Sequence, residues 1–457
     1  MNEYEEFIKS KIQVFESVGF DINREQLNPM LFEFQKDIVR WALKKGRAAI
    51  FAGCGLGKTL MQLEWANQIH KKEGGKILIL APLSVASQTK REGEKFNIPV
   101  NICESHSDVT DGINITNYEK LDKFIAKEFN AIVLDESSIL KSFTGKVRNQ
   151  IIHSFKNTPY RLACTATPSP NSYMELGNHS QFLGVMTREE MLSMYFVHDG
   201  GNTSQWRLKH HAEEKFWEWM ATWSVFINNP SDLGYQSEGY DLPELNIEEI
   251  IVDGNEIITN KLTLTQRREA RKEKIDLKLP IIEELIEKDN GSWLIWCDYN
   301  YEQDQISKLL GDRCVSIQGS TSPAKKIEWE KQWRNGEVPI MVTKAKIFGY
   351  GLNWQHCHNV IFFGMSDSFE DYYQALRRTW RFGQEHKVNV YIIISSKEGT
   401  IKENIERKQA DAEKMQNAMI KLTKDITKKE LRQTTRISTP YDPQIDIIVP
   451  DWLIEQL

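Results

Sequence analysis

The sequence predicts an α/β protein with two halves, each a parallel sheet flanked by helices. Short apolar runs alternate with helical patterns from residue 47 to residue 165, and the alternation restarts at residue 293. Parallel strands need crossover connections, usually helices, so this alternation favours parallel sheets. The pattern weakens over residues 180–246, which we predict to be helical and rich in loops. A chain of 457 residues is also too long for one ordinary core, so two or three domains are expected.

Domain boundaries are predicted where these patterns change. Residues 1–28 are predicted to form a helical N-terminal lead-in, residues 29–240 the first α/β domain with a helical insert, residues 241–430 the second α/β domain, and residues 431–457 a tail. The predicted linker, Asp241–Glu244, contains a proline, which is typical of a break between elements. The predicted strands are residues 47–51, 77–80, 131–134, 161–164, 293–296, 340–343, 360–363 and 390–393.

Composition and charge exclude several classes of protein. The net charge of −6 argues against a uniformly basic nucleic-acid-binding surface, although it permits a local basic groove. The six cysteines include no C-x-x-C pair, which predicts reduced thiols in a cytoplasmic protein. The acidic N-terminal segment leads into no apolar signal segment, and no stretch approaches the roughly 20 apolar residues that span a bilayer. We therefore expect no contact with a membrane.

Residues 52–59, Ala-Gly-Cys-Gly-Leu-Gly-Lys-Thr, lie between a predicted strand and a predicted helix. Such a turn directs backbone N–H groups and a helix N-terminus towards one point, which suits a phosphate group. Gly55 and Gly57 allow a chain path and a close approach that a side chain would block. Lys58 can reach the β- and γ-phosphates, and the Thr59 hydroxyl can hold Mg²⁺. The pattern therefore predicts a nucleotide phosphate site with a magnesium ion.

Asp135 and Glu136 directly follow the predicted strand 131–134. In a sheet that carries a phosphate loop, a carboxylate at a strand end can hold Mg²⁺, and the next carboxylate can position or deprotonate the attacking water. Thr165 and Thr167 follow the next predicted strand, where their hydroxyl groups can hydrogen-bond the acidic pair and relay the nucleotide state. A Thr-Pro sequence that merely ends a strand would look the same.

Residues 374–384 give the clearest functional signal in the second half. On a helix, Gln374, Arg378 and Arg381 would lie at positions i, i+4 and i+7, on one face. Two arginines on one face suit a bidentate grip on phosphate oxygens, and across a domain cleft they could act as an arginine finger. Arg377 would lie off that face, in a structural role or in contact with nucleic acid.

Three other groups have competing interpretations. The loop 349–353, with Gly349, Gly351 and Asn353, could couple a nucleotide to a bound nucleic-acid backbone, or could be a plain loop. A basic run at residues 267–278 could contact phosphate, or form the solvated face of a linker helix. Aromatic residues could stack on bases, although their helical spacing favours core packing; they are Phe216, Trp217, Trp219 and Trp223.

Together these motifs resemble the superfamily-two nucleic-acid-dependent ATPases, and most closely their Swi/Snf-type group. The resemblance covers roughly residues 30 to 410. Residues 52–59 match the first motif, Asp135–Glu136 the metal and water pair, and residues 165–168 the third motif, with Ala166 where the group usually has glycine. Residues 374–384 match the last motif, and their ending Arg-x-Gly-Gln is characteristic of the group.

The resemblance implies two RecA-like domains with ATP and Mg²⁺ in the cleft between them. Gln35 would read the adenine, the loop at Pro82 would contact the nucleic-acid backbone, and Arg378 and Arg381 would complete the site from the second domain. The implied nucleotide-binding residues are Gln35, Gly55, Gly57, Lys58, Thr59, Gly351, Arg378 and Arg381. Those implied for coupling or nucleic-acid contact are Pro82, Thr165, Thr167, Gly349, Asn353 and Gln374.

The expected function is therefore an ATP-dependent DNA translocase or helicase in replication, recombination or repair, monomeric and of bacterial or phage origin. Duplex DNA is the favoured track, with single-stranded or forked DNA as alternatives, and replication or repair proteins are possible partners. Ser137-Ser138 follows the acidic pair where the family usually has Ala-His or Gly-His, which leaves open how hydrolysis is coupled to DNA. Two other functions stay open: a motor subunit of a restriction or defence system, and a nucleotide-gated binding scaffold that barely hydrolyses ATP.

Overall fold

The computed structural model describes residues 17–82, 85–141, 145–169, 172–199, 202–237, 239–253, 264–348, 352–364 and 368–432. Of the predicted helical lead-in, residues 1–16 lie outside these ranges. The rest of it contains one turn of 3-10 helix, Arg24–Gln26, and no α-helix, so this part of the prediction is wrong. Most of the predicted tail also lies outside. No helix in the described ranges combines the length and the apolar character needed to cross a bilayer.

The first sheet has seven strands, all paired in parallel, in the order β3-β4-β2-β5-β6-β1-β9. Adjacent β1, β6 and β5 bring their carboxyl ends to one edge, where ligands bind in sheets of this type. The strands are β1 (Arg47–Ala52), β2 (Lys76–Ala81), β3 (Val100–Ile102), β4 (Gly112–Asn117), β5 (Phe129–Asp135), β6 (Tyr160–Thr165) and β9 (Ser224–Ile227).

The helices of this half surround the sheet, and β7 and β8 form a separate antiparallel hairpin. Phe216, Trp217 and Trp223 are buried in the core beneath the sheet, so core packing, not base stacking, is confirmed for them. The elements are α1 (Glu33–Lys45), α2 (Lys58–Glu73), α3 (Ala86–Lys95), α4 (Lys146–Ser154), α5 (Leu176–Leu183), α6 (Arg188–Tyr195), β7 (Phe196–Asp199), β8 (Asn202–Leu208) and α7 (Glu213–Trp223).

The second sheet has six strands, again all parallel, in the order β10-β15-β14-β11-β13-β12. It begins directly after the predicted linker. The elements are β10 (Leu245–Ile251), α8 (Leu264–Glu273), α9 (Ile275–Lys288), β11 (Trp293–Cys297), α10 (Asn300–Leu310), β12 (Cys314–Ser316), α11 (Pro323–Arg334), β13 (Ile340–Lys344), α12 (Ala345–Phe348), β14 (Asn359–Phe362), α13 (Phe369–Leu376) and β15 (Val388–Ile394).

The two parallel sheets flanked by helices confirm the predicted fold class of two RecA-like domains. All eight predicted strands are present, because continuous apolar runs are typical of parallel strands buried on both faces. Five strands of the two sheets were not predicted from the sequence. Of these, β3 and β12 have only three residues each, β4 alternates apolar with polar residues, and β9 lies in the stretch predicted to be helical and rich in loops.

The last helix, α14 (Gly399–Arg432), follows the second sheet in the chain but packs on the first domain. Met419 and Ile420 lie in the same buried cluster as Trp223. The Gln416 side-chain amide donates to Asn228 Oδ1 at 2.5 Å, and the Ser169 hydroxyl contacts Met415 Sδ at 3.1 Å. The chain therefore crosses between the domains twice, once at the linker and once before α14 ends.

Candidate functional site

The phosphate loop connects β1 to α2 and has the shape that its glycines predict. Gly55 and Gly57 have positive φ angles of 90° and 76°, which L side chains rarely adopt. A Cβ atom at Gly57 would also collide with the amide group of Gln35. Lys58 folds back, and its Nζ donates to the carbonyl of Ala52 at 3.0 Å. The loop therefore presents the N-terminus of α2 and a lysine at one point.

Gln35 lies on α1 and is buried against this loop. Its Nε2 donates to the carbonyl of Leu56 at 2.9 Å, and its Oε1 accepts from the backbone N–H of Phe32 at 2.9 Å. Each polar end of the side chain thus has one protein partner and can form one further hydrogen bond. Gln35 fixes the loop to α1, and its contact with adenine stays a prediction.

The acidic pair lies at the carboxyl end of β5, next to the phosphate loop. Gln62 Nε2 donates to Asp135 Oδ1 at 2.7 Å, and the Tyr118 hydroxyl donates to the Asp135 carbonyl at 2.7 Å. Thr165 Oγ1 donates to Glu136 Oε2 at 3.2 Å, which is the contact that the sequence analysis expected for this hydroxyl. Neither Gln62 nor Tyr118 carried a motif signal, so sequence reasoning missed both.

Glu136 has a positive φ angle of 53°, in the left-handed region that non-glycine residues rarely adopt. Such a conformation costs roughly 1–2 kcal/mol, so the surrounding contacts must hold it. Thr165 holds the carboxylate, and in turn accepts a hydrogen bond from the Thr167 N–H at 3.1 Å. The strained backbone lies where the sequence predicts the residue that positions water.

Burial raises the pKa of the Asp135 and Glu136 carboxyl groups, because their charged forms lose contact with water. The positive charges of Lys58 and Arg378 act in the opposite direction on both groups. Arg378 belongs to the second domain, so a cation from each domain acts on this acidic pair.

The expectation that Gln374, Arg378 and Arg381 share one helix face is wrong. Helix α13 ends at Leu376, and both arginines lie in the turns that follow. Arg378 is buried and donates to the Gln374 carbonyl, the Gln374 Oε1 and the Leu352 carbonyl, each at 2.9 Å. Arg381 Nη1 donates to the same Leu352 carbonyl at 3.3 Å. A shared carbonyl acceptor, not helical spacing, brings the two guanidinium groups together.

Arg381 lies beside the phosphate loop. Burial lowers its pKa to about 10, and the neighbouring charge of Arg378 contributes to the same shift. Cys54 of the phosphate loop acts in the opposite direction. Burial raises the pKa of Tyr373, which sequence reasoning missed, to about 12, and the charges of Cys54 and Glu136 add to the rise.

An aromatic cluster joins the two domains next to the phosphate loop. The ring centroid of Phe382 lies 4.7 Å from that of Tyr240 and 6.5 Å from that of Phe32. A second contact between the domains is the ion pair of Lys141 with Glu370. The sequence contains no local signal for these pairs, because the partners are far apart in the chain.

For several of the predicted site residues the structure gives little or no description. Gly349 and Gly351 lie outside the described residues, as do residues 83–84 of the loop at Pro82. The carbonyl of Pro82 accepts a hydrogen bond from the Val85 N–H at 3.0 Å. Asn353 and Thr59 are half-buried.

The basic run is partly exposed and partly buried. Arg268 and Lys272 are exposed, as expected for the solvated face of a helix, whereas Arg271 and Lys278 are not. Arg271 is buried and forms ion pairs with Asp298 at 2.8 Å and Glu302 at 2.9 Å. Lys278 is also buried and pairs with Glu398 at 2.5 Å. These cations hold α8 and α9 against the second sheet and do not face solvent.

Two family profiles match the chain, one in each half. The profile described as "Type III restriction enzyme, res subunit" matches residues 20–170. The profile described as "Helicase conserved C-terminal domain" matches residues 277–383. The first match contains the phosphate loop and the acidic pair, and the second contains Arg378 and Arg381.

The chain is 24% identical over 443 residues to a putative ATP-dependent helicase/translocase YwqA of Bacillus subtilis (strain 168), covering 82% of this chain and 47% of that protein. It is 24% identical over 420 residues to a Xenopus tropicalis protein named "SWI/SNF-related matrix-associated actin-dependent regulator of chromatin subfamily A-like protein 1", covering 81% and 43%. It is 22% identical over 427 residues to the Bos taurus DNA annealing helicase and endonuclease ZRANB3, covering 82% and 39%. The chain thus spans less than half the length of these relatives.

Among solved structures, the chain is similar to the Sulfolobus solfataricus SWI2/SNF2 ATPase core in complex with dsDNA. The sequence identity is 19%, the TM-score is 0.42, and the alignment covers 92% of this chain and 99% of that chain.

Proposed function

We propose that this chain, which is similar to Swi/Snf-type superfamily-two helicase-like ATPases in both halves, hydrolyses ATP between its two domains and moves along DNA. The observation that carries this proposal is the meeting of Lys58, the Asp135–Glu136 pair and Arg378, whose charges act on one another across the domain boundary. Charges placed around the reacting phosphate are the main source of catalysis in phosphoryl transfer.

The residues of the first domain suit ATP and Mg²⁺. The positive φ angles of Gly55 and Gly57 give the loop the path that turns backbone N–H groups towards a phosphate, and the carboxylate of Asp135 is the hard oxygen donor that Mg²⁺ prefers. In this proposal Lys58 offsets phosphate charge, while Thr59 and Asp135 hold the metal. Bound Mg²⁺ would neutralise the charge that develops on the phosphate oxygens.

Glu136 and the two arginines have the remaining catalytic roles in this proposal. Glu136 positions the attacking water, and the hydrogen bond from Thr165 aims its carboxylate. Arg378 and Arg381 stabilise the transition state from the second domain, as an arginine finger does. Gln35 contacts the adenine through the one further hydrogen bond that each polar end of its side chain can form. Gly351 contributes to the nucleotide site.

The proposed track is DNA, contacted through its backbone. Relatives whose names include a helicase/translocase and a DNA annealing helicase support this choice. Backbone contact should tolerate any sequence and weaken steeply with salt, because phosphate contacts release counterions. The residues proposed for contact or coupling are Pro82, Thr165, Thr167, Gly349, Asn353 and Gln374. The proposal includes a monomeric motor for replication, recombination or repair in the cytoplasm of a bacterium or an infected cell.

A second candidate function is the motor subunit of a restriction system that works with a separate nuclease. The description of the profile that matches residues 20–170 favours it. Identification by mass spectrometry of a nuclease that co-purifies with the chain, and that cuts DNA only when both proteins and ATP are present, would support this second function. DNA translocation by the chain alone, with no nuclease partner, would favour the first.

The test of the proposed function is ATP hydrolysis measured side by side with duplex DNA, single-stranded DNA and RNA. We expect duplex DNA to stimulate the wild-type rate most. Stimulation by RNA alone would reject DNA as the track. Slow hydrolysis that no nucleic acid stimulates would favour the nucleotide-gated scaffold instead.

A further inference from the structure

Helix α5 buries three consecutive polar residues, Asn178, His179 and Ser180, each with no exposed surface. Buried polar groups are costly unless they are hydrogen-bonded, so their partners explain why the helix tolerates them. Two of the partners lie in the segment that follows the acidic pair. Asn178 Nδ2 donates to the Leu140 carbonyl at 2.7 Å, and His179 Nε2 lies 3.1 Å from Ser137 Oγ.

The His179 ring also contacts the strand that carries the phosphate loop. Its centroid lies 5.2 Å from that of Phe51, with the two rings nearly perpendicular at 87°. Phe51 pairs in register with Thr165 on β6 and immediately precedes Ala52, whose carbonyl accepts from Lys58. One buried imidazole therefore contacts Phe51 at the end of β1 and Ser137 just after the end of β5, close to where two of the proposed catalytic segments begin.

The strained residue Glu136 lies between two anchored neighbours. On one side, the Tyr118 hydroxyl holds the carbonyl of Asp135; on the other, His179 holds the hydroxyl of Ser137. A non-glycine residue keeps a left-handed backbone conformation only where the surrounding structure holds it. Burial lowers the pKa of His179 to about 4, so the ring is neutral near pH 7 and acts through its hydrogen bond and its shape.

We infer that His179 is a positioning residue for ATP hydrolysis, which acts through Ser137 to hold the Glu136 backbone in the conformation that aims its carboxylate. This inference rests on the proposed function, because it assigns a role within the same site. It assigns a role to Ser137, which stands where the family usually has alanine or glycine. The hydrogen bond joins residues far apart in the sequence, so no local motif predicts it.

The test removes each partner of the hydrogen bond with little change in volume. Ser137→Ala removes one oxygen, and His179→Leu keeps an apolar side chain against Phe51. Each should lower kcat with saturating DNA by on the order of 10- to 100-fold, since a small misplacement of a catalytic group costs this much. The KM for ATP should stay within about threefold of the wild-type value, because the phosphate loop is unchanged.

A matched control is Ser180→Ala, which removes a buried hydroxyl from the same helix. Ser180 donates to the Met186 carbonyl at 2.8 Å and, among the residues that the structure describes, its hydroxyl has no hydrogen bond to the catalytic segments. This variant should keep the wild-type kcat. His179→Gln, whose amide can reach Ser137, should recover part of the activity that His179→Leu loses. The double variant Ser137→Ala/His179→Leu should be no slower than the slower single variant, because both remove one interaction.

Unchanged kcat in folded Ser137→Ala and His179→Leu proteins would overturn the inference, and so would effects that multiply in the double variant. If His179→Leu does not fold, Ser137→Ala alone decides, since it removes a single atom. Failure of the proposed function looks different: the wild-type protein itself would then show no ATP hydrolysis that depends on Lys58.

Discussion

Phe382 of the second domain packs directly against Gly55 of the phosphate loop. A Cβ atom added at Gly55 would lie 3.0 Å from Phe382 Cβ and 3.1 Å from its backbone nitrogen, closer than most Cβ atoms approach any neighbour. The glycine therefore serves two purposes, since it supplies a positive φ angle and lets the second domain approach the loop. Closure of the domains and the shape of the phosphate site depend on the same residue.

Gly55→Ala should accordingly lower ATP turnover by at least about tenfold, because the added methyl group separates the domains and displaces the loop. Steady-state ATP hydrolysis with saturating DNA measures the effect. Gly336→Ala is the matched control, since Gly336 has a similar φ angle of 78° with open space around it. Both variants should lose about 1–2 kcal/mol of stability from backbone strain. Equal turnover in the two variants would mean that the approach of Phe382 has no role in catalysis.

Lys58→Ala and Glu136→Gln should separate nucleotide binding from hydrolysis. The first removes the cation that offsets phosphate charge, so we expect loss of both ATP affinity and turnover. The second keeps the size and hydrogen bonding of the side chain but loses the carboxylate, so nucleotide should bind while hydrolysis stops. Binding of a fluorescent ATP analogue, measured beside turnover, distinguishes them. If Glu136→Gln instead loses Mg-ATP binding, the roles of Asp135 and Glu136 are wrongly assigned.

Arg381→Ala should lower kcat with little loss of ATP affinity, because an arginine finger acts mainly in the transition state. Such residues are worth on the order of 10³–10⁵ in rate. Arg378→Ala should lower kcat to a lesser degree and also lower stability, because it removes the donor to the buried Gln374 Oε1 and the shorter of the two hydrogen bonds to the Leu352 carbonyl. Kinetics and thermal unfolding of each variant provide the check. An unchanged kcat with a raised KM would mean that these arginines bind only ground-state nucleotide.

Asp135→Asn should raise the thermal stability of the nucleotide-free protein near pH 7. Burial raises the pKa of Asp135, so the native chain binds its proton more tightly than the unfolded chain. Burying the charge therefore costs stability above the raised pKa, and that cost is lost as the pH falls from the raised pKa towards the ordinary value of 3.8. The gain in Tm from Asp135→Asn should shrink as the pH is lowered over the same range. A lower Tm at neutral pH, or a gain that does not vary with pH, would contradict this assignment.

The sequence predicted the elements that depend on neighbouring residues. Continuous apolar runs identified eight buried parallel strands, and the glycines of residues 52–59 identified the phosphate loop, because both signals are local. The helix face proposed for Arg378 and Arg381 was wrong, since the helix ends at Leu376 and a carbonyl from another loop orients both side chains.

Contacts between distant parts of the chain could not be predicted in this way. Arg271 belongs to a run that looks like a solvated basic helix, yet the fold brings Glu302 and Glu398 to it from separate elements. The hydrogen bond between His179 and Ser137 and the packing of α14 on the first domain also join residues that are far apart in the sequence. Each depends on tertiary packing, which no spacing pattern in the sequence predicts.

The central claim, that ATP hydrolysis drives movement along duplex DNA, is tested most directly by displacement of a third strand from a DNA triplex. We expect ATP-dependent displacement by the wild-type protein and none by the Glu136→Gln variant. Wild-type protein that hydrolyses ATP with duplex DNA but displaces no third strand, while unwinding a forked duplex, would contradict translocation on duplex DNA and identify a helicase instead.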